Sequence, residues 1–176
     1  MAYALFMLAV MGCVASTSWP TEPAAVTTSD GVKSEKGEQA SGVFVSIPSV
    51  VGLSAKDMDK KLGKPTYITK ITRYPEQMPG EFRTYKIQDK DDALMIRFYR
   101  NRAIKFTFSL PSSFDTPERA LLSTGIDVQG APPDTTAPLA RRWKERVFNG
   151  VAFVDVAAIK DFQNTSKYDM VQAEIR

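Results

Sequence analysis

The sequence predicts an α+β fold: an antiparallel sheet covered on one face by short helices, with a mostly β C-terminal extension. Three observations predict it. Residues 55–62 form an apolar-striped segment bounded by a capping serine, Ser54, and a glycine, Gly63. Between Leu94 and Phe108, apolar and polar side chains alternate about Asn101, the pattern of a strand pair that is covered on one side and wet on the other. Asn149-Gly150 stands between two runs rich in β-branched and aromatic residues, a strong signal for a two-residue hairpin.

Ahead of that domain, Ala2 to Met11 is an unbroken apolar or aromatic run without charge. Its length suits the core of an export signal, roughly 7 to 15 residues, and falls short of the ~20 needed to span a bilayer. It ends in Val10-Met11-Gly12-Cys13, which resembles the lipobox of bacterial lipoproteins. The resemblance implies that residues 1–13 are a lipoprotein-type signal and that Cys13 carries the lipid anchor, acyl chains such as palmitate. Residues 14–42 are dominated by Ser, Thr, Pro, Ala, Gly, Glu and Lys, with Trp19 the one large apolar side chain. Such a stretch cannot offset its ordering entropy by burial and is expected to be a disordered tether, with an r.m.s. span of about 30 Å. Residues 43–176 are left as a single α+β domain of ordinary size.

Composition removes most catalytic designs. Among 176 residues there is one cysteine and no histidine. An intramolecular disulfide, a histidine base, a Ser-His-Asp or Cys-His nucleophile and a histidine zinc site therefore cannot be built. The net charge of +3 is mild and argues for neither nucleic acid nor a membrane surface.

The elements follow in order. A short extended piece, 43–51, is broken by Pro48. Ser54 then caps a helix, Asp57 supplies first-turn negative charge, and Leu53 with Met58 occupy the positions of a hydrophobic staple. Lys60 and Lys61 suit the last turn, Gly63 the left-handed closing position, and Pro65 prevents continuation, so the helix spans 55–62 with Ala55, Met58 and Leu62 facing a sheet. Strands are expected over 67–74 and 82–87, with a breaker-rich connection at 75–80 and a turn at 89–92. Centring the next hairpin on Asn101 sets Phe98 opposite Ile104, Ile96 opposite Phe106 and Leu94 opposite Phe108. Those six share one face, and Arg97, Tyr99, Lys105 and Thr107 share the other. Thr116 caps a two-turn helix closed by Gly125. Residues 128–138 read as a loop, 143–148 and 151–156 as hairpin strands, and 168–175 as a closing strand with Val171, Ala173 and Ile175 on one face. Asp155 could instead cap a helix over 156–162.

Gly52-Leu-Ser54, Leu62-Gly-Lys-Pro65, Thr84-Tyr85 and Leu94-Met-Ile-Arg-Phe98, with the turn into Ile104, resemble the small outer-membrane lipoprotein domain of the SmpA/OmlA (BamE-like) type over about residues 46–110. The resemblance implies helices packed on a small antiparallel sheet, and a non-enzymatic protein that contacts other envelope proteins.

Two basic groups are candidate binding residues: Arg97, Arg100, Arg102 and Lys105 beside Tyr99, and Arg141 and Arg142 with Lys144 and Arg146. They fit either an ordinary solvated face or a site for anionic lipid, lipopolysaccharide or an acidic protein surface. Asp89, Asp91 and Asp92 lack the Gly and distal Glu of a calcium loop and read as a charged turn, so neither metal nor cofactor is expected. The resulting expectation is a lipid-tethered bacterial envelope lipoprotein at the outer membrane, facing the periplasm, that acts as a non-enzymatic protein-interaction module. It would meet the membrane through its anchor, bind envelope proteins and bind no nucleic acid. The alternative is a secreted or periplasmic protein that holds a small or anionic ligand beside the sheet.

Overall fold

The computed structural model describes residues 42–72 and 79–176. The signal run, Cys13 and residues 14–41 of the tether lie outside the described residues, as do 73 and 74 of the expected first strand and 75–78 of the connection after it. A compact unit spans Gln39–Arg176.

Eight strands form one antiparallel sheet: β1 (Tyr67–Ile71), β2 (Gly80–Ile87), β3 (Lys90–Tyr99), β4 (Arg102–Phe114), β5 (Thr135–Ala137), β6 (Ala140–Phe148), β7 (Val151–Lys160) and β8 (Tyr168–Ile175). The order is β1-β2-β3-β4-β8-β7-β6-β5, so two four-stranded meanders join along β4 and β8. Helices α1 (Ala55–Leu62) and α2 (Pro117–Leu122) are the two α-helices among the described residues. The fold is therefore mostly β, and the expected α+β sheet covered by short helices is corrected. Geometry explains the difference. Eight strands spaced about 4.8 Å apart make a sheet roughly 34 Å wide, whereas an eight-residue helix is only about 12 Å long. The expected C-terminal extension is not an appendage either, because β8 pairs with β4 from Lys105↔Glu174 to Ser109↔Met170.

What the α-helices leave uncovered on the inner face is closed by connecting chain, including a 3-10 turn at Ile47–Ser49 where an extended piece was expected. Residues 43–53 run across it, with Phe44 N–H donating to Ser123 O at 2.8 Å, Ile47 N–H to Thr124 O at 2.9 Å and Ala103 N–H to Leu53 O at 3.0 Å. Val45, Ile47 and Val50 are buried there, as are Ile126 and Val128 from the connection after α2. Trp143 is fully buried, and its indole N–H donates to Ala131 O at 2.7 Å. Helix α2 packs on β4, β7 and β8. Its cap is as read, with Thr116 Oγ1 accepting from Arg119 N–H at 3.3 Å. Helix α1 is closed by Ser54, which accepts from Asp57 N–H at 3.1 Å and donates to the Asp57 carboxylate at 2.7 Å.

The β3–β4 hairpin keeps the predicted register at Leu94↔Phe108, Ile96↔Phe106 and Arg97↔Lys105, then departs from it. Its turn has two residues rather than three. Arg100 and Asn101, at φ 48° and 60°, let Tyr99 pair with Arg102 and Phe98 with Ala103. Both central residues lie in the left-handed region, the condition for the turn whose twist matches the strands. Ile104 becomes the extra residue of a bulge and is only half-buried, while Ala103 takes the inward place. Leu94, Ile96, Phe98, Phe106 and Phe108 are all essentially inaccessible.

Three further expectations change. The turn before β3 is Gln88-Asp89, with Ile87 paired to Lys90, so residues 90–92 belong to the strand. A helix over 156–162 does not form, because β7 continues to Lys160. The 128–138 loop contributes β5, which pairs Thr135↔Arg142 and Ala137↔Ala140. The Asn149-Gly150 turn stands as read, at φ 51° and 76°.

Candidate interaction face

Strand parity divides the sheet into two unlike surfaces. Inward positions feed the core just described. Outward positions align across neighbouring strands into rows, and one row is charged: Arg97 on β3, Lys105 on β4, Glu174 on β8, Asp155 on β7 and Lys144 on β6. Beside it runs Met95, Thr107, Gln172, Ala157 and Arg142. A third row holds Ser109, Met170, Ile159 and Ala140. Most of these side chains are half-exposed, and among the described residues no second layer packs on this face. Ala157 is buried yet stands apart from the core cluster, lying in its row between Gln172 and Arg142.

Arg97 and Lys105 of the first basic group and Arg142 and Lys144 of the second thus meet on one face, but through acidic intermediaries. Lys105 Nζ reaches Glu174 at 2.8 Å, and Arg142 reaches Asp155 at 2.5 Å. The row therefore alternates in blocks, positive at β3–β4, negative at β8–β7 and positive again at β6. Arg97 stacks its guanidinium over Phe82 at 5.9 Å, and Arg100 lies over Tyr99 at 5.1 Å. Arg100 and Arg102 belong to the hairpin turn and its margin, at the end of the sheet. Arg141 has the opposite parity, opposite the buried Ala158, and donates to Ala137 O at 2.6 Å and Ala140 O at 3.2 Å, which secures the β5–β6 turn. Arg146 pairs with Asp134 at 2.5 Å. The Asp134 carboxyl is held below its ordinary range, first by the Lys144 backbone N–H and then by Arg146. Asp155, Arg142, Lys144 and Asp134 line an open cleft of about 710 Å³.

A polar cluster on the inner face lay outside the expected site. Asp59 of α1 accepts from Tyr85 Oη at 2.8 Å and from Arg83 Nη1 at 2.5 Å. Arg83 also donates through Nε to Glu81 at 2.7 Å, and its guanidinium lies 5.8 Å from the Phe98 ring centre. Burial pushes the Tyr85 phenol well above its ordinary value, and the Asp59 carboxylate adds to the shift. Every charge here has a partner, and the cluster's effect is to hold α1 against β2. The sequence did carry one signal for it. Ala55, Asp59 and Leu62 share a helix face, and a carboxylate on that stripe demands a buried partner. Glu81, Arg83 and Phe98, with Lys70 and Ile71, line a second cleft of about 470 Å³.

Among the described residues there is no grouping of three acidic, cysteine or histidine side chains able to hold a metal ion. Among them, too, no helix is long and apolar enough to cross a membrane. Neither a family model, nor a curated protein, nor a solved structure matches the chain.

Proposed function

We propose that the protein is a non-enzymatic interaction module of the bacterial envelope, tethered through lipid on Cys13, which offers its outer sheet face to an envelope protein. The observation that carries this reading is the face itself, which no other described element covers: β3, β4, β8, β7 and β6 present charge in blocks beside rows of Met95, Thr107, Met170 and Ile159. Enzymes concentrate function in concave sites with convergent polar groups. A broad, half-exposed face with paired charges and small residues is suited to a flat protein surface, whose charge pattern would select partner and orientation more than it would add affinity. A partner carrying negative charge opposite Arg97 and Lys105, and positive charge opposite Glu174 and Asp155, fits this pattern better than a uniformly acidic one.

Site-specific photo-cross-linking in intact cells tests the reading. A cross-linker at outward Gln172 should capture a discrete envelope protein, and one at Gln129, in the exposed connection after α2, should not. Capture from Gln129 alone would overturn it. Independently, the wild type should take up labelled fatty acid and partition with membranes, and Cys13→Ala should do neither. Equal labelling of the two proteins would contradict the anchor.

A further inference from the structure

The two edges of the sheet are built differently. β5 has three residues and is enclosed by Pro132, Pro133 and Pro138, and the Asp134 carboxylate next to it is engaged by the Lys144 backbone N–H. Short strands and nearby prolines are the usual protection of an exposed edge. β1 lacks it. Five residues, Tyr67-Ile-Thr-Lys-Ile71, run without proline or bulge against β2, and the first four are exposed. Tyr67 is 65% and Ile68 52% exposed, although their side chains lie on opposite faces of the strand. The strand is rich in residues that favour sheets, yet it buries almost none of them. Its far side carries backbone donors and acceptors with no neighbouring strand among the described residues.

We infer that β1 pairs antiparallel with β1 of a second copy of this chain, joining two sheets edge to edge about a two-fold axis at Thr69. The composition of the strand favours that partner and that register. Centred on Thr69, Tyr67 faces Ile71 of the copy, Ile68 faces Lys70, and Thr69 faces itself. Aromatic with β-branched residues and threonine with threonine are among the favourable cross-strand pairs. Lys70 selects the register, since a pairing centred on residue 70 would set this cation against itself. In the Thr69-centred arrangement Lys70 lies between Glu81 of its own β2, its register partner, and the apolar Ile68 of the copy. The association is isologous, so it closes at a dimer rather than growing into a fibre. It occupies the β1 edge and leaves the rows on β4, β8 and β7 free.

Sedimentation of the full chain over a concentration series should show a reversible monomer–dimer equilibrium. Thr69→Lys places two cations face to face and should raise the dissociation constant about tenfold or more, whereas Thr69→Val should not weaken the dimer. Because Thr69 is exposed, circular dichroism should be unchanged in both. In a Cys13→Ala background, Thr69→Cys should form a disulfide-linked dimer under mild oxidation and Thr107→Cys should not. A chain that stays monomeric throughout, a dimer indifferent to Thr69→Lys, or cross-linking as efficient from residue 107 as from residue 69 would each overturn the proposal.

Discussion

Phe106 and Thr107 are neighbours in β4, yet one has no exposed surface and the other faces outward between Met95 and Gln172. The two faces they belong to are made by different physics. Inward, Leu94, Ile96, Phe98, Phe106 and Phe108 meet Val171, Ala173 and Val156 in a close-packed interior in which each methylene counts. Outward, the same strands carry ion pairs that water screens in proportion to their exposure. The core therefore holds the shape, and the outer face is free to vary its chemistry without unfolding it. A one-residue slip in register would exchange the two, which makes the comparison open to experiment.

The largest effect should come from the core. Phe106→Ala removes a fully buried ring and should cost about 3 to 5 kcal/mol, enough to unfold a domain held by ~5 to 15 kcal/mol or bring it close, as measured by urea unfolding. Tolerance of this change would show that the faces are exchanged.

Next in size is Arg142→Ala. It leaves the Asp155 carboxylate without its guanidinium, and the second oxygen of Asp155 is already buried. With both side chains partly exposed, the loss should be about 1 to 3 kcal/mol, and Asp155→Asn in the same chain should recover part of it. If the single change is neutral, the pair is only a solvated contact.

A smaller effect is expected of the double change Arg97→Ala with Lys105→Ala, about half a kcal/mol by urea unfolding, because the Lys105–Glu174 pair is 39% exposed on each side. Unfolding would again signal exchanged faces.

The smallest effect belongs to the Tyr85 phenol, which is pushed above the 10.0 of an unfolded tyrosine by burial and by Asp59. A raised value means that its contribution is complete below pH 10.0 and declines as the pH rises through the folded value. In an alkaline titration followed by phenolate absorbance, the Tyr85 phenol should contribute a late step, and Tyr85→Phe should remove it. Should the late step survive the substitution, the Asp59 cluster does not hold the phenol as described.

Much of this architecture was legible locally. Ser54, Thr116, Asn149-Gly150 and the alternation from Leu94 to Phe108 each act within a few residues, and each formed the element it predicts. Pairing between distant strands leaves no such local trace. Nothing in 168–175 says that β8 lies between β4 and β7, and without that order the C-terminal strands look like an extension, and Lys105 and Arg142 look like two unpaired basic patches. The Ile104 bulge was hidden for a different reason. Arg100 and Asn101 close a two-residue turn, but a count of apolar residues favours a three-residue one, because Ile104 looks more like core than Ala103 does. Asp59 was the readable exception, a charge on an apolar stripe.

The division between a core face and a working face is tested most directly by Thr107→Arg, introduced beneath a photo-cross-linker at Gln172. The substitution is made at an outward position one residue from the core. The account predicts an unchanged urea midpoint together with loss of the captured envelope protein. Capture retained at full yield with the midpoint unchanged would contradict it, because the face would then be exposed without being used.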